Sequence, residues 1–171
     1  GTFLFVISVF LFVSTGSESA LGTFGLLNSG IGLFTYYAAS RFIKKEYRNQ
    51  AILIGAVGLL SSIFLVLWNV TYIKLLIYGI SIAIFYPMLL VPYYSLTYDV
   101  IGKSWKAAEM RVEYIVVREV FLNIGRIISI FFFLICSSLF DINVILPYVL
   151  LILGCAYVLL YFFVKGIVLE K

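Results

Sequence analysis

The chain has 171 residues, of which 64% are hydrophobic and 12% charged, with a mean hydropathy of +1.15 and a net charge of +4. Ordinary soluble domains are roughly 45–50% apolar and 25% charged, and one core of this length cannot hide such an excess from water. The composition excludes a water-soluble fold, and lipid is the expected solvent.

Apolar runs broken by charge or turn clusters predict six membrane spans, at about 2–14, 20–40, 51–68, 72–98, 114–140 and 144–164. A β-barrel would show strands alternating apolar and polar, whereas Ile127–Ile135 is nearly continuously apolar. The expected fold is therefore an all-α transmembrane bundle, and residues 1–171 form a single six-helix domain.

The first span is short. Thr2 to Val13 would rise only about 18 Å as a helix, against roughly 30 Å of hydrocarbon. The chain opens at Gly1 without Met, and no basic stretch precedes the apolar run, as it would in a signal peptide. A truncated helix, and hence a fragment of a longer membrane protein, is expected.

Polarity is distributed unevenly over the remaining spans. Span two carries Asn28, Ser29, Thr35, Tyr36 and Tyr37; span four carries Ser81, Tyr86, Tyr93, Tyr94, Ser95 and Thr97; span five carries Asn123, Arg126 and Ser129. These three are expected to face protein or water. Span three has only Ser61 and Ser62, and span six has no charged or amide side chain, so both can face lipid. Pro87 and Pro92 predict a kink or local unwinding in span four. The small residues Ala51, Gly55, Gly58, Gly79 and Ala83 predict close helix contacts. Most of the 13 tyrosines cluster at span ends and fit an interfacial belt.

In span five, Glu119, Asn123 and Arg126 fall at i, i+4 and i+7 and share one helix face. Glu119 and Arg126 lie about 10 Å apart along the axis, so Asn123 could bridge them. A charge at mid-bilayer costs about 2.5–3.5 kcal/mol on insertion scales, and something must compensate Arg126. Three readings stay open: a structural bond to a neighbouring helix or carbonyl, a cation lining a substrate cavity, or snorkelling to the interface. The candidate cavity residues are Asn28, Tyr86, Asn123 and Arg126, with Glu119 in an associated charge network. Asn123 and Arg126 are expected to point with Asn28 and Tyr86 away from spans three and six. The guanidinium fork favours an anionic or hydrogen-bonding solute over a bare cation.

The segments after span two, between spans four and five together with the start of span five at Arg118, and at the tail carry ten of the twelve Lys and Arg residues. The positive-inside rule puts these segments, and so both termini, in the cytoplasm, with Glu18 and Asp141 outside. Cys136 and Cys155 sit in apolar runs as small hydrophobes, and with no His the imidazole sites for metals and acid–base work are absent. No metal, cofactor or nucleic-acid partner is expected.

The loop after span two reads S-R-F-I-K-K at 40–45. It resembles the cytoplasmic signature D-R-x-G-R-R of the major facilitator superfamily. Arg41 matches its arginine and Lys44 and Lys45 its basic pair, while Ser40 replaces the aspartate and Ile43 the glycine. The long charged segment between spans four and five, and the plain third and sixth spans, are similar to that family's halves. The resemblance implies two inverted three-helix repeats and the carboxy-terminal half of a transporter working by alternating access. The partners implied are the bilayer, a small solute and a missing amino-terminal six-helix half. The location implied is the cell membrane. Arg41 is expected to anchor its loop, through helix-end carbonyls or through Glu109 or Glu113. A membrane enzyme is a rival, with Asp99, Glu109, Glu113 and Glu119 at the cytoplasmic face, but their spacing fits no catalytic motif. The second rival is a structural or accessory membrane subunit, favoured if Asn123 and Arg126 are sealed in helix contacts.

Overall fold

The computed structural model describes residues 2–67, 71–140 and 142–167. Six α-helices occur among them: α1 (Thr2–Thr15), α2 (Glu18–Phe42), α3 (Arg48–Leu67), α4 (Tyr72–Gly102), α5 (Arg111–Leu139) and α6 (Ile142–Lys165), with a single 3₁₀ turn at Lys45–Tyr47 before α3. No strand is present among the described residues, and the fold is all-α. Four helical stretches are long and apolar enough to cross a membrane: Lys45–Leu65, Tyr72–Gly102, Arg111–Leu139 and Tyr148–Lys165. Helix α1 is too short at 14 residues. Helix α2 has the length, at 25 residues, but Asn28, Ser29 and its many glycines dilute its hydropathy.

Several helices run past the apolar stretches that announce them, α2 and α4 at their C-terminal ends and α3 and α5 at their N-terminal ends, because an exposed helix end can keep its charged residues. At the α1–α2 corner Gly16 takes φ +60, a left-handed conformation glycine adopts without penalty, and donates its N–H to the Phe12 carbonyl at 2.8 Å. Ser17 then caps α2 by accepting the Ala20 N–H at 3.3 Å.

The core lies where α3, α4 and α6 pack together, with α2 and α1 against α4. Ile52, Ala56, Leu59 and Ile63 of α3 meet Leu75, Tyr78, Ile82 and Leu89 of α4 and Val149 and Leu150 of α6. Close approach comes from small residues. A Cβ on Gly55 would stand 2.8 Å from Leu89 N and 2.9 Å from the Phe85 carbonyl; one on Gly58 would overlap the Phe85 ring, and one on Gly79 the Phe24 ring. Span three is thus no plain outer helix. Its small-residue face is sealed against α4, and only the other face, with Ile54, Val57 and Phe64, is exposed.

Helix α4 is continuous over 31 residues through Pro87 and Pro92, both buried. The unwinding expected there does not occur. Each proline removes one backbone donor, and the surrounding turns, packed on α2 and α3, keep the helical path.

Candidate functional site

One polar cluster joins α3 to α4. Arg48, the first residue of α3, is only 8% exposed. Its Nη1 donates to Asp99 Oδ2 at 2.6 Å and its Nη2 to Ser95 Oγ at 2.6 Å. Lys45 adds a longer contact to the same carboxylate at 3.6 Å. Ser95 and Asp99 stand one turn apart on α4, so one guanidinium fork spans both. A cavity of about 620 Å³ opens beside them, lined by Lys45, Arg48 and Asn49, by Asp99 and Lys103, and by Ile167. The connection after α2, the end of α4 and the segment after α6 therefore share one end of the bundle.

Arg41 does not perform the anchoring expected of it. It is exposed at the last turn of α2 and joins no ion pair among the described residues; Glu109 pairs instead with Lys106, at 3.6 Å. The physical reason is phase: α2 ends at Phe42, whereas Arg48 opens the face of α3 that already lies against α4. Lys44 is exposed at the N-terminal flank of the 3₁₀ turn. Asp141 lies outside the described residues, and Glu18 is exposed in the first turn of α2.

The second cluster lies along α2, α4, α5 and α6. A chamber of about 380 Å³ is lined by Asn28, Ser29, Gly32 and Tyr36 of α2 and by Ala83, Tyr86 and Pro87 of α4, among others. Another, of about 310 Å³, is lined by Tyr86, Tyr93 and Tyr94 of α4, by Gly125, Arg126 and Ser129 of α5 and by Tyr157 of α6, among others. Tyr86 belongs to both. Its ring meets Tyr157 edge-on, with centroids 6.3 Å apart and planes at 77°. The Asn28 Oδ1 is buried without a hydrogen-bond partner. Arg126 is exposed, and its Nη1 donates to Asn123 Oδ1 at 3.1 Å.

Two expectations are corrected here. Asn123 bonds Arg126 and the Glu119 backbone carbonyl (2.8 Å), but not the Glu119 carboxylate, which takes Arg118 Nη1 at 2.9 Å. Arg118 is held in place by the Tyr94 ring, 4.4 Å from its guanidinium carbon. Nor does the Arg126 chamber avoid span six, since Tyr157 and Leu160 of α6 line it. Span six carries no charge, but its tyrosines give it a polar edge that a search for charged and amide groups overlooks. Missed from the sequence are Tyr157 in the chamber and, at the other site, Arg48 and its joining to Ser95 and Asp99, two residues that the polarity count and the enzyme rival name in other roles. A signal for Arg48 existed. Arg48, Ala51, Gly55 and Gly58 follow one another at helical spacing, so the small-residue face of α3 begins with an arginine.

No protein-family model matches the chain, and no solved structure matches it. The chain is 54% identical over 167 residues to the uncharacterized protein YqgE of Bacillus subtilis (strain 168). That alignment takes in 98% of this chain and 39% of the relative, so the chain spans about two fifths of the length of the curated relative it matches.

Proposed function

We propose that the chain is the carboxy-terminal six-helix half of a secondary transporter of the major facilitator type, carrying a small solute by alternating access. It would lie in a cell membrane, that of a bacterium by analogy with its relative, with α1 to α6 as six crossings in two inverted repeats and both termini cytoplasmic. The observation that carries this reading is the pair of chambers that share Tyr86 in their linings, which bring together polar groups of α2, α4, α5 and α6.

The cation-rich connections share one end, as the positive-inside assignment requires of a cytoplasmic face. The Arg48–Asp99–Ser95 cluster at that end is a contact suited to holding α3 and α4 together while larger bodies rock. Helix α5 buries only Phe133 among its described residues. Its exposed apolar surface leaves room for the missing half, which would supply the opposite wall of the cavity. The accessory-subunit reading would be favoured by Asn123 and Arg126 sealed in helix contacts, and in this chain both are exposed.

The test is solute counterflow in proteoliposomes holding the full-length protein with both halves. Trans-accelerated exchange of a solute, lost in Tyr86→Ala with the protein still folded, is the expected result. Absence of exchange for any solute across a broad metabolite panel would overturn the reading. Impermeant thiol labelling of intact cells tests orientation: cysteine at position 44 should stay unlabelled and cysteine at position 18 should react.

A further inference from the structure

Arg126 is the one charged side chain among the described residues that line the two chambers meeting at Tyr86. Its hydrogen bond goes to a neutral amide, Asn123, and no acid stands at i±3 or i±4 on its own helix. Glu119, the nearest acid along α5, is turned to Arg118. A guanidinium on an apolar helix with no counter-ion among the described residues is a place for an anion to complete.

The surroundings narrow the class of anion. One fixed positive charge offsets one negative charge, so a monoanion leaves the site neutral, whereas a dianion such as a phosphate monoester would leave an excess charge among apolar side chains. A carboxylate presents two oxygens in the plane that the arginine fork matches. The same chamber is lined by Tyr86, Tyr93, Tyr94, Tyr157 and Phe121, with leucines, Gly125 and Ser129 making up the rest of the wall. Aromatic rings at this density stack edge or face against a flat apolar body, and phenol hydroxyls can donate to the anionic end. The chambers, about 310 and 380 Å³, fall at the small end of ordinary ligand pockets.

We infer that this site takes a small organic monocarboxylate with a ring or other flat apolar body: the carboxylate sits on Arg126 and the body between the Tyr86–Tyr157 pair and Phe121. The inference rests on the transport reading for its biological use, but binding can be measured without it. Asn28, on the far side of Tyr86, offers a hydrogen-bonding group to the distal end of a longer solute.

The experiment uses purified full-length protein and four probes: benzoate, neutral benzamide, cationic benzamidinium and inorganic phosphate. Benzoate should bind by calorimetry and raise the unfolding temperature, with benzamide weaker and phosphate and benzamidinium without effect. Arg126→Gln should weaken benzoate by at least about tenfold, in line with loss of a charge-assisted bond, and Arg126→Lys should fall between the two. Because the one bond Arg126 makes among the described residues stays within α5, the unliganded unfolding temperature of both variants should stay near the parent value, which separates lost binding from lost folding. Benzamidinium or phosphate binding as tightly as benzoate, benzoate binding that survives Arg126→Gln, or no benzoate binding at all would each overturn the inference. Counterflow separates it from the transport reading. Benzoate binding without exchange of any solute sinks transport and leaves the site standing; exchange of a cation in protein that ignores benzoate keeps transport and sinks the site's assignment.

Discussion

Helices α3 and α5 are both apolar enough to cross a bilayer, yet they are held in opposite ways. Helix α3 sends Ala51, Ile52, Ala56, Leu59 and Ile63 into the core, while α5 sends Phe133 alone among the described residues. The difference is not hydrophobicity. Lipid tails are as apolar as leucine, so apolar side chains gain little by leaving them; close backbone approach and polar bonds hold membrane helices together. Helix α3 has both, through Gly55, Gly58 and Arg48. On α5, Gly125 has nothing within 4 Å of where its Cβ would stand, and the hydrogen bonds of Asn123, Arg126 and Ser129 stay within their own helix, with the Arg126 charge met only by a neutral amide.

The sharpest way to break this contrast is to add bulk to each helix in turn. Gly55→Leu would drive a side chain into the backbone of α4 at Phe85 and Leu89, which cannot swing aside as a rotamer can. Overpacking of this kind costs about 1–3 kcal/mol, and the unfolding temperature in mild detergent should drop by many degrees. Gly125→Ala on α5 meets open space and trades glycine for the best helix former, so its stability should stay level or rise. Equal losses for the two variants would mean that α5 is as tightly packed as α3.

Next in size is the polar end of α3. Arg48→Ala removes two bonds and leaves a carboxylate that is one third exposed with only the longer Lys45 contact, a loss of about 1.5–3 kcal/mol for hydrogen bonds to charged groups. Ser95→Ala should cost about 1 kcal/mol or less, because the arginine keeps its carboxylate. In a double-mutant cycle Arg48→Ala and Asp99→Asn should couple strongly, and additive losses would show the pair to be spectators.

A smaller effect is expected where α5 touches α4. Tyr94→Leu keeps the apolar volume but removes the ring face under Arg118, for about 1 kcal/mol. Hydrogen exchange along α5 should rise more than along α3, since α5 has few other ties.

These contacts explain what could be read in the chain before its structure and what could not. The apolar runs located all six α-helices among the described residues, because runs of this length and continuity suit a helix and not an alternating strand. The small residues that seal α3 on α4 were also legible, since glycines at helical spacing on an apolar helix have few other uses. Which helix stands inside and which outside was not legible. Counting polar groups ranked α3 as peripheral, but its packing depends on side chains absent at Gly55 and Gly58. Nor does polarity reveal direction: Glu119 shares a face with Asn123 and Arg126, yet its carboxylate turns to the preceding residue because Arg118 is already fixed over Tyr94. The Tyr86–Tyr157 pair joins residues 71 positions apart, and no local pattern links them.

Arg41 and Arg48 give the finest test, because composition cannot separate them. Both are arginines at the same connection, seven residues apart, and the signature S-R-F-I-K-K points to the first. The structure gives the bonds to the second. Arg41 stands in the exposed last turn of α2, where it can favour the helix dipole by about a few tenths of a kcal/mol at most in a screened position. Arg41→Ala should therefore change stability by no more than about 0.5 kcal/mol, the usual range for surface substitutions, against several times that for Arg48→Ala. Because an exposed cation at this connection still reports to the positive-inside rule, its removal should leave orientation intact while Lys44, Lys45 and Arg48 remain. If Arg41→Ala matched Arg48→Ala in unfolding temperature, the loop would be held by the signature arginine after all, and the α3–α4 cluster would lose its place as the tie at that end of the bundle.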